Sequence, residues 1–243
     1  VRTSMILSLA CLVCGSAIGA EFTPLFRITK VTGSCEVKPS GATRFSAAKA
    51  GKAYAYGTEI RTGRSSSALV QFSQGNECRI LAKAQLRLTE STVDPKLKVI
   101  KLDTGKVEIV LEEGLKENSG NALNVETATA VCGAIGTEFS AEAHKQQEIN
   151  VVVFIVTKGS VKIHGMNYLI NQALEGAGLS ISGDDAGTFT RVKTLKGGFD
   201  IEFKDSEGNP KVVKMEPNAI VKIWRRRAKV GNVIIVTVIV TDP

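Results

Sequence analysis

The stretch AVCGAIGTEFSAEA, residues 130–143, sets two glycines, Gly133 and Gly136, directly before the polar pair Thr137 and Glu138. Such a loop could cradle a phosphate or present a catalytic carboxylate. A phosphate loop needs a glycine-rich turn that opens a helix, with a lysine for the phosphates. The residues after Gly136 alternate instead: Phe139, Ala141 and Ala143 take one face and Glu138, Ser140 and Glu142 the other, and no Lys-Ser/Thr pair comes after the glycines. A glycosidase-type pair would need a second acid about 5–10 Å away. Glu108, Glu112 and Glu142 are the candidates, and each belongs to the charged face of an alternating strand. Serine catalysis needs a general base, and the two histidines, His144 and His164, stand far apart among hydrophilic neighbours. GLSISG at 178–183 is not a nucleophile elbow. The stretch therefore reads as a turn feeding a strand, with Thr137 hydrogen-bonded to backbone at the strand entrance. No catalytic residue, cofactor or metal site is assigned.

Cysteine usage and the N-terminal segment bear on the compartment. VRTSMILSLACLVCGSAIGAEF carries one positive charge at Arg2, an apolar run from Met5 to Val13 and small residues up to Ala20. That layout predicts a secretory signal peptide over residues 1–20, cleaved after Ala20, and a periplasmic or secreted protein. The apolar run is short for a membrane anchor, which needs about 20 apolar residues. Cys11 and Cys14 lack the neighbours of a lipoprotein signal. Cleavage removes one Arg and no acid, so the net charge falls from +7 to about +6. Cys35, Cys78 and Cys132 remain, too few and too scattered for a disulfide framework or a zinc motif. Alternation points Cys35 and Cys78 inward, and whether any two cysteines pair stays open.

The basic residues are spread along the chain and only 5% of residues are aromatic, which argues against a nucleic-acid binder with its basic stripe and stacking rings. WRRRAK, residues 224–229, reads as an edge strand guarded by charge.

The elements that must position these residues are strands. ALVQF (68–72), ECRILA (77–82), QLRLTE (85–90), KVEIVLEE (106–113) and GTEFSAEA (136–143) alternate with period two. INVVVFIV (149–156) is apolar on both faces and predicts a central strand. GSCEV (33–37), GKVEI (105–109) and GSVKI (159–163) repeat one pattern, in which a glycine makes a corner and the third and fifth residues face inward. FDIEF and KVVKM flank a turn at DSEGNP as a hairpin, and NVIIVTVIVTDP predicts a strand paired in the sheet or against a partner. A short helix is expected near Ala47 or over YLINQALEG, residues 168–176. The class is all-β: a β-sandwich or short β-solenoid of glycine-cornered strands over 21–165, then a β-rich extension over 166–243.

YGTEIRTGRSSSALVQFSQGNECRILAKAQLRL, residues 56–88, resembles the core of the FecR domain, with Gly57, Ile60, Thr62, Gly63, Ser67, Leu69 and Gly75 in the places of its turn-and-strand pattern. GKVEIVLEE resembles the next strand, Gly136, Thr137 and Phe139 the Gly-Thr-x-Phe signature, and VTKGSVKI, with Gly159, the closing strand. Ile135 stands where members often carry Arg. The resemblance covers about residues 30–165 and implies structural roles for these motif residues. FecR regulators are single-pass proteins with a cytoplasmic segment that handles a sigma factor, so a chain opening on a signal peptide implies the exported domain alone. The expected function is a non-enzymatic envelope module that binds a protein partner or relays a signal, with no nucleic acid, no membrane span in the mature chain and possible oligomers through the C-terminal strand. The alternative is a cell-wall, glycan-binding or structural surface protein, for which Trp224 beside Tyr168, Tyr54 or Tyr56 is the conceivable stacking platform.

Overall fold

Alternating sequence becomes two sheets facing one core. The structure is a computed structural model that describes residues 25–73, 76–94, 97–112, 123–166, 168–184, 188–205, 207–227 and 234–241. Its strands are β1 (Leu25–Thr32), β2 (Cys35–Lys38), β3 (Ser46–Ala47), β4 (Ala53–Ala55), β5 (Thr58–Thr62), β6 (Ser67–Ser73) and β7 (Asn76–Ile80). Next come β8 (Gln85–Glu90), β9 (Lys98–Val110), β10 (Leu123–Glu126), β11 (Val131–Ala134), β12 (Glu138–Gln146), β13 (Ile149–Lys158) and β14 (Ser160–His164). The last are β15 (Leu169–Leu174), β16 (Gly178–Asp184), β17 (Phe189–Lys196), β18 (Phe199–Lys204), β19 (Pro210–Met215), β20 (Ile220–Arg227) and β21 (Ile234–Thr241). Among the described residues there is no helix, and so none long and apolar enough to cross a membrane.

Sheet A runs β4-β1-β6-β7-β9-β12-β13-β16-β17-β20-β21, antiparallel throughout. Sheet B runs β3-β2-β5-β8-β9-β10-β11-β14-β15-β18-β19, with one parallel pair, β9–β10. Strand β9 belongs to both. Residues up to Thr104 pair with β8 in sheet B, and from Gly105 onward they pair with β12 in sheet A. From β10 the chain lays down two-strand units alternately on sheet B and sheet A. Both sheets therefore grow together through residues 166–243.

The inward rows of both sheets form one apolar cluster that includes Ile28, Val70, Ile109 and Phe154 from sheet A and Ile60, Leu88, Ile163 and Ile201 from sheet B. Burying such side chains stabilises by about 1.5–3 kcal/mol each, which makes this core the main favourable term. Left-handed residues mark the crossings between sheets, among them Gly33, Gly57, Gly136, Gly159, Gly176, Gly197 and Asn218. In β9 the crossing residue is Gly105, with φ +90°. A Cβ there would lie 2.4 Å from Ala84 Cα, so the position excludes any side chain. The three repeated glycine patterns are three such crossings, and their Cys35, Val107 and Val161 all point into the core.

Two sequence expectations are corrected. The segments expected to be helical are β3 and β15. In β15 the buried residues Ile170 and Ala173 stand three apart, which imitates a helical period. They do so because the register against Val161 and Ile163 shifts, and the extra residue of a bulge leaves Asn171 and Gln172 outward in succession. β20 is an interior strand between β17 and β21 as far as Trp224, and not an edge there, whereas Arg225–Arg227 run past the β17 register and pair with β21.

Candidate functional site

The motif residues gather at crossings. Gly57 and Gly136 are left-handed corners, with φ +91° and +59°, while Ile60 and Phe139 point into the core. Thr62 is the last residue of β5, and its Oγ1 donates to Leu81 O at 2.5 Å and accepts from Ala84 N at 3.0 Å. Gly63 donates its N–H to Ser34 O at 2.9 Å. Thr137 is buried, and its Oγ1 lies 2.8 Å from Ser160 O and 2.9 Å from Ile135 O, its one proton shared between them. Gly159 packs on the same corner, its side-chain position 3.1 Å from Gly136 O. Thr137 thus ties the β11–β12 crossing to the β13–β14 crossing. Gly75 lies outside the described residues. The structure brings Gly136, Thr137 and Gly159 together, and Thr62 and Gly63 form a separate corner.

The chemistry-bearing residues do not converge. Glu108 is half-exposed and pairs with Arg79 at 3.8 Å and Lys106 at 3.7 Å. Glu142 and His144 are exposed two residues apart on β12, while Glu112 is exposed after β9 and His164 at the end of β14. Among the described residues no three His, Cys, Asp or Glu side chains cluster to hold a metal. Cys35, Cys78 and Cys132 are all free and buried. Burial pushes the Cys35 thiol up to about 11, with the Glu36 charge adding to it, and it raises Cys78 and Cys132 further. These thiols are protonated core residues at neutral pH.

The tyrosine platform does not form. Tyr54 and Tyr168 are buried, Tyr54 stacking on Phe26 and Tyr168 bonding its hydroxyl to Thr129 O. Trp224 meets Phe189 instead, with ring centroids 5.5 Å apart and planes tilted by 43°.

A surface that the sequence does not signal lies on the outer face of sheet A. An open basin of about 430 Å³ is lined by Gln146, Gln147, Ile149, Val151, Ser180, Ser182, Arg191, Lys193 and Leu195. Arg191 lies opposite Ser182 on β16 and opposite Lys222 on β20. Among the described residues none of Arg191, Lys193 and Lys222 has an ion-pair partner, and the Arg191 Nε is buried with no acceptor. Elsewhere cations meet carboxylates across strands, as in Lys38–Glu59 at 3.0 Å, Arg87–Glu59 at 2.5 Å and Arg61–Glu36 at 2.6 Å. Hydrogen bonds from Lys38 and Arg87 hold the Glu59 carboxyl below its ordinary range. Only the strand pairing juxtaposes Arg191 and Lys222, so no local pattern marks the basin.

Residues 58–162 match the model of the family described as FecR protein. This segment is a FecR domain. The match begins at β5 and ends within β14, so the FecR domain holds the Thr62 and Thr137 corners and the shared strand β9. FecR-type modules are signalling-related and generally non-enzymatic. Two crystal structures of a proposed anti-sigma factor from Parabacteroides distasonis ATCC 8503 are similar to this chain at 17% and 15% identity, each with a TM-score of 0.41. Each match covers 66% of this chain and spans 60% of that protein's length. No curated protein matches the sequence. Most of the basin lies beyond the FecR domain, on β16 and β17.

Proposed function

We propose that the protein is a non-enzymatic, exported module of the bacterial envelope that binds a protein partner and relays a signal through it. The FecR domain supports the signalling side. Export rests on the signal-peptide layout of residues 1–20, which lie outside the described residues.

The observation that carries the binding side is the contrast among sheet edges. Edge strands invite pairing with other chains unless they are short, charged or broken by proline. Among the described residues, β3 and β4 are two and three residues long, and β19 carries Pro210, Lys211 and Lys214. The fourth outer strand, β21, reads IIVTVIVT over eight residues, with no charge and no proline. Among the described residues it pairs on one side only, with β20, and leaves Ile239 and Val240 exposed. Its free backbone groups suit strand addition, by a partner segment or by a second copy of the chain.

The test uses the chain from Glu21 onward, immobilised against envelope extract, beside the variant Val240→Lys. Wild type is expected to capture a specific partner, or to self-associate with rising concentration in sedimentation, and the variant to do neither. Equal capture by both proteins, or none by either, would remove this reading.

A further inference from the structure

We propose that the basin on the outer face of sheet A, together with Lys222 beside it on β20, binds an extended acidic segment of a protein, whose carboxylates pair with Arg191, Lys193 and Lys222. Directly opposed side chains in an antiparallel pair have Cβ atoms about 4.5–5.5 Å apart, and like charges in that position repel. Arg191 and Lys222 are such a pair, and Lys193 lies two residues along the same face of β17. Asp184, two residues along β16 from Ser182, is turned away from this role. It accepts from the backbone N–H groups of Thr188 and Phe189 and from the Thr188 hydroxyl. Among the described residues the cluster thus carries repulsion without a counter-charge, and its centre holds a buried donor with no acceptor, the Arg191 Nε. One carboxylate answers both, because guanidinium and carboxylate match as a fork.

The surroundings choose among anions. Ile149, Leu195 and Ile239 flank the cations on the same outer face and are 41%, 42% and 46% exposed. Alternating acidic and apolar side chains match that mixture, whereas an anionic glycan sets only small patches of ring C–H against the apolar residues. The closest aromatics, Phe189 and Trp224, are tilted and half-buried, so they make no flat platform for a sugar ring or a base. The concavity also keeps a flat lipid surface from the Arg191 Nε. This proposal deepens the protein-binding reading and rests on it for the class of occupant.

The probe is a fluorescent ten-residue peptide alternating Glu with Leu and Val, titrated with the chain from Glu21 onward at low salt. Polygalacturonate and vesicles containing anionic phospholipid serve as competitors. Binding is expected, weakened about 3- to 10-fold by each of Arg191→Gln, Lys193→Gln and Lys222→Gln. Raising the salt roughly tenfold should weaken it at least about tenfold. Arg79→Gln, a cation on the same sheet outside the basin, should leave affinity unchanged, and unaltered thermal unfolding certifies each variant as folded. Absence of binding, or affinity indifferent to the triple variant, overturns the proposal. Preferential binding of the glycan or the vesicles overturns its choice of ligand. The outcomes are separable from those of the edge-strand test. Capture that needs β21 and not the basin cations leaves the protein-binding reading standing and sinks this one, and peptide binding without an envelope partner does the reverse.

Discussion

At the scale of single residues, Thr137 illustrates how a polar side chain in a suggestive motif becomes structural. Its place after Gly136 and before an alternating run showed that the hydroxyl would serve backbone at a strand entrance. The bond to Ser160 O, 23 positions away, could not be read, because it exists only once β14 packs beside the turn. Thr137→Val keeps the shape and removes the donor, leaving the half-buried Ser160 carbonyl without this partner. A loss of about 1–2 kcal/mol is expected in urea unfolding, with Thr137→Ser losing clearly less. Equal stabilities for the Val and Ser variants would show that the hydroxyl contributes nothing. Two cysteines were legible for the same local reason, since Cys78 alternates with Glu77 and Arg79 and Cys35 holds the inward third place of the glycine-corner pattern. Arg191 and Lys222 were not, being 31 positions apart and opposed only by the β17–β20 register.

At the scale of elements, β9 carries the largest constraint. Its pattern signalled a glycine corner followed by a strand at GKVEI, but a single strand passing from one sheet to the other was not visible locally. Left-handed backbone and the contact with Ala84 both forbid a side chain at Gly105. Gly105→Ala is expected to cost about 2–4 kcal/mol, because the strained φ and the backbone clash must be relieved together. Thermal unfolding checks this, and an unchanged midpoint would mean that the two sheets are not joined through this residue as described. The bulge in β15 is the instructive failure: an extra residue in a strand produced a three-residue spacing that period counting takes for a helix.

For the whole molecule, sheet continuity is what matters. β13 is covered by β16 along seven residue pairs, and β14 by β15, so the strands after residue 166 close edges that the FecR domain would otherwise leave open. A fragment ending at Gly165 exposes the edge of β13, ten residues dominated by β-branched side chains. It is expected to elute as large aggregates in size-exclusion chromatography, where the whole chain elutes as a discrete species. A monomeric fragment with an unchanged unfolding midpoint would show that the later strands are dispensable.

By itself the sequence determined strand content, corner positions and the inward or outward sense of most side chains. Period-two alternation and left-handed glycines act between near neighbours, so they are written locally. The tertiary structure decided which strands share a sheet, where a sheet stops, and which cations meet without a counter-charge. Many alternating strands could satisfy one another's edges equally well, and only packing around one common core selects among those pairings.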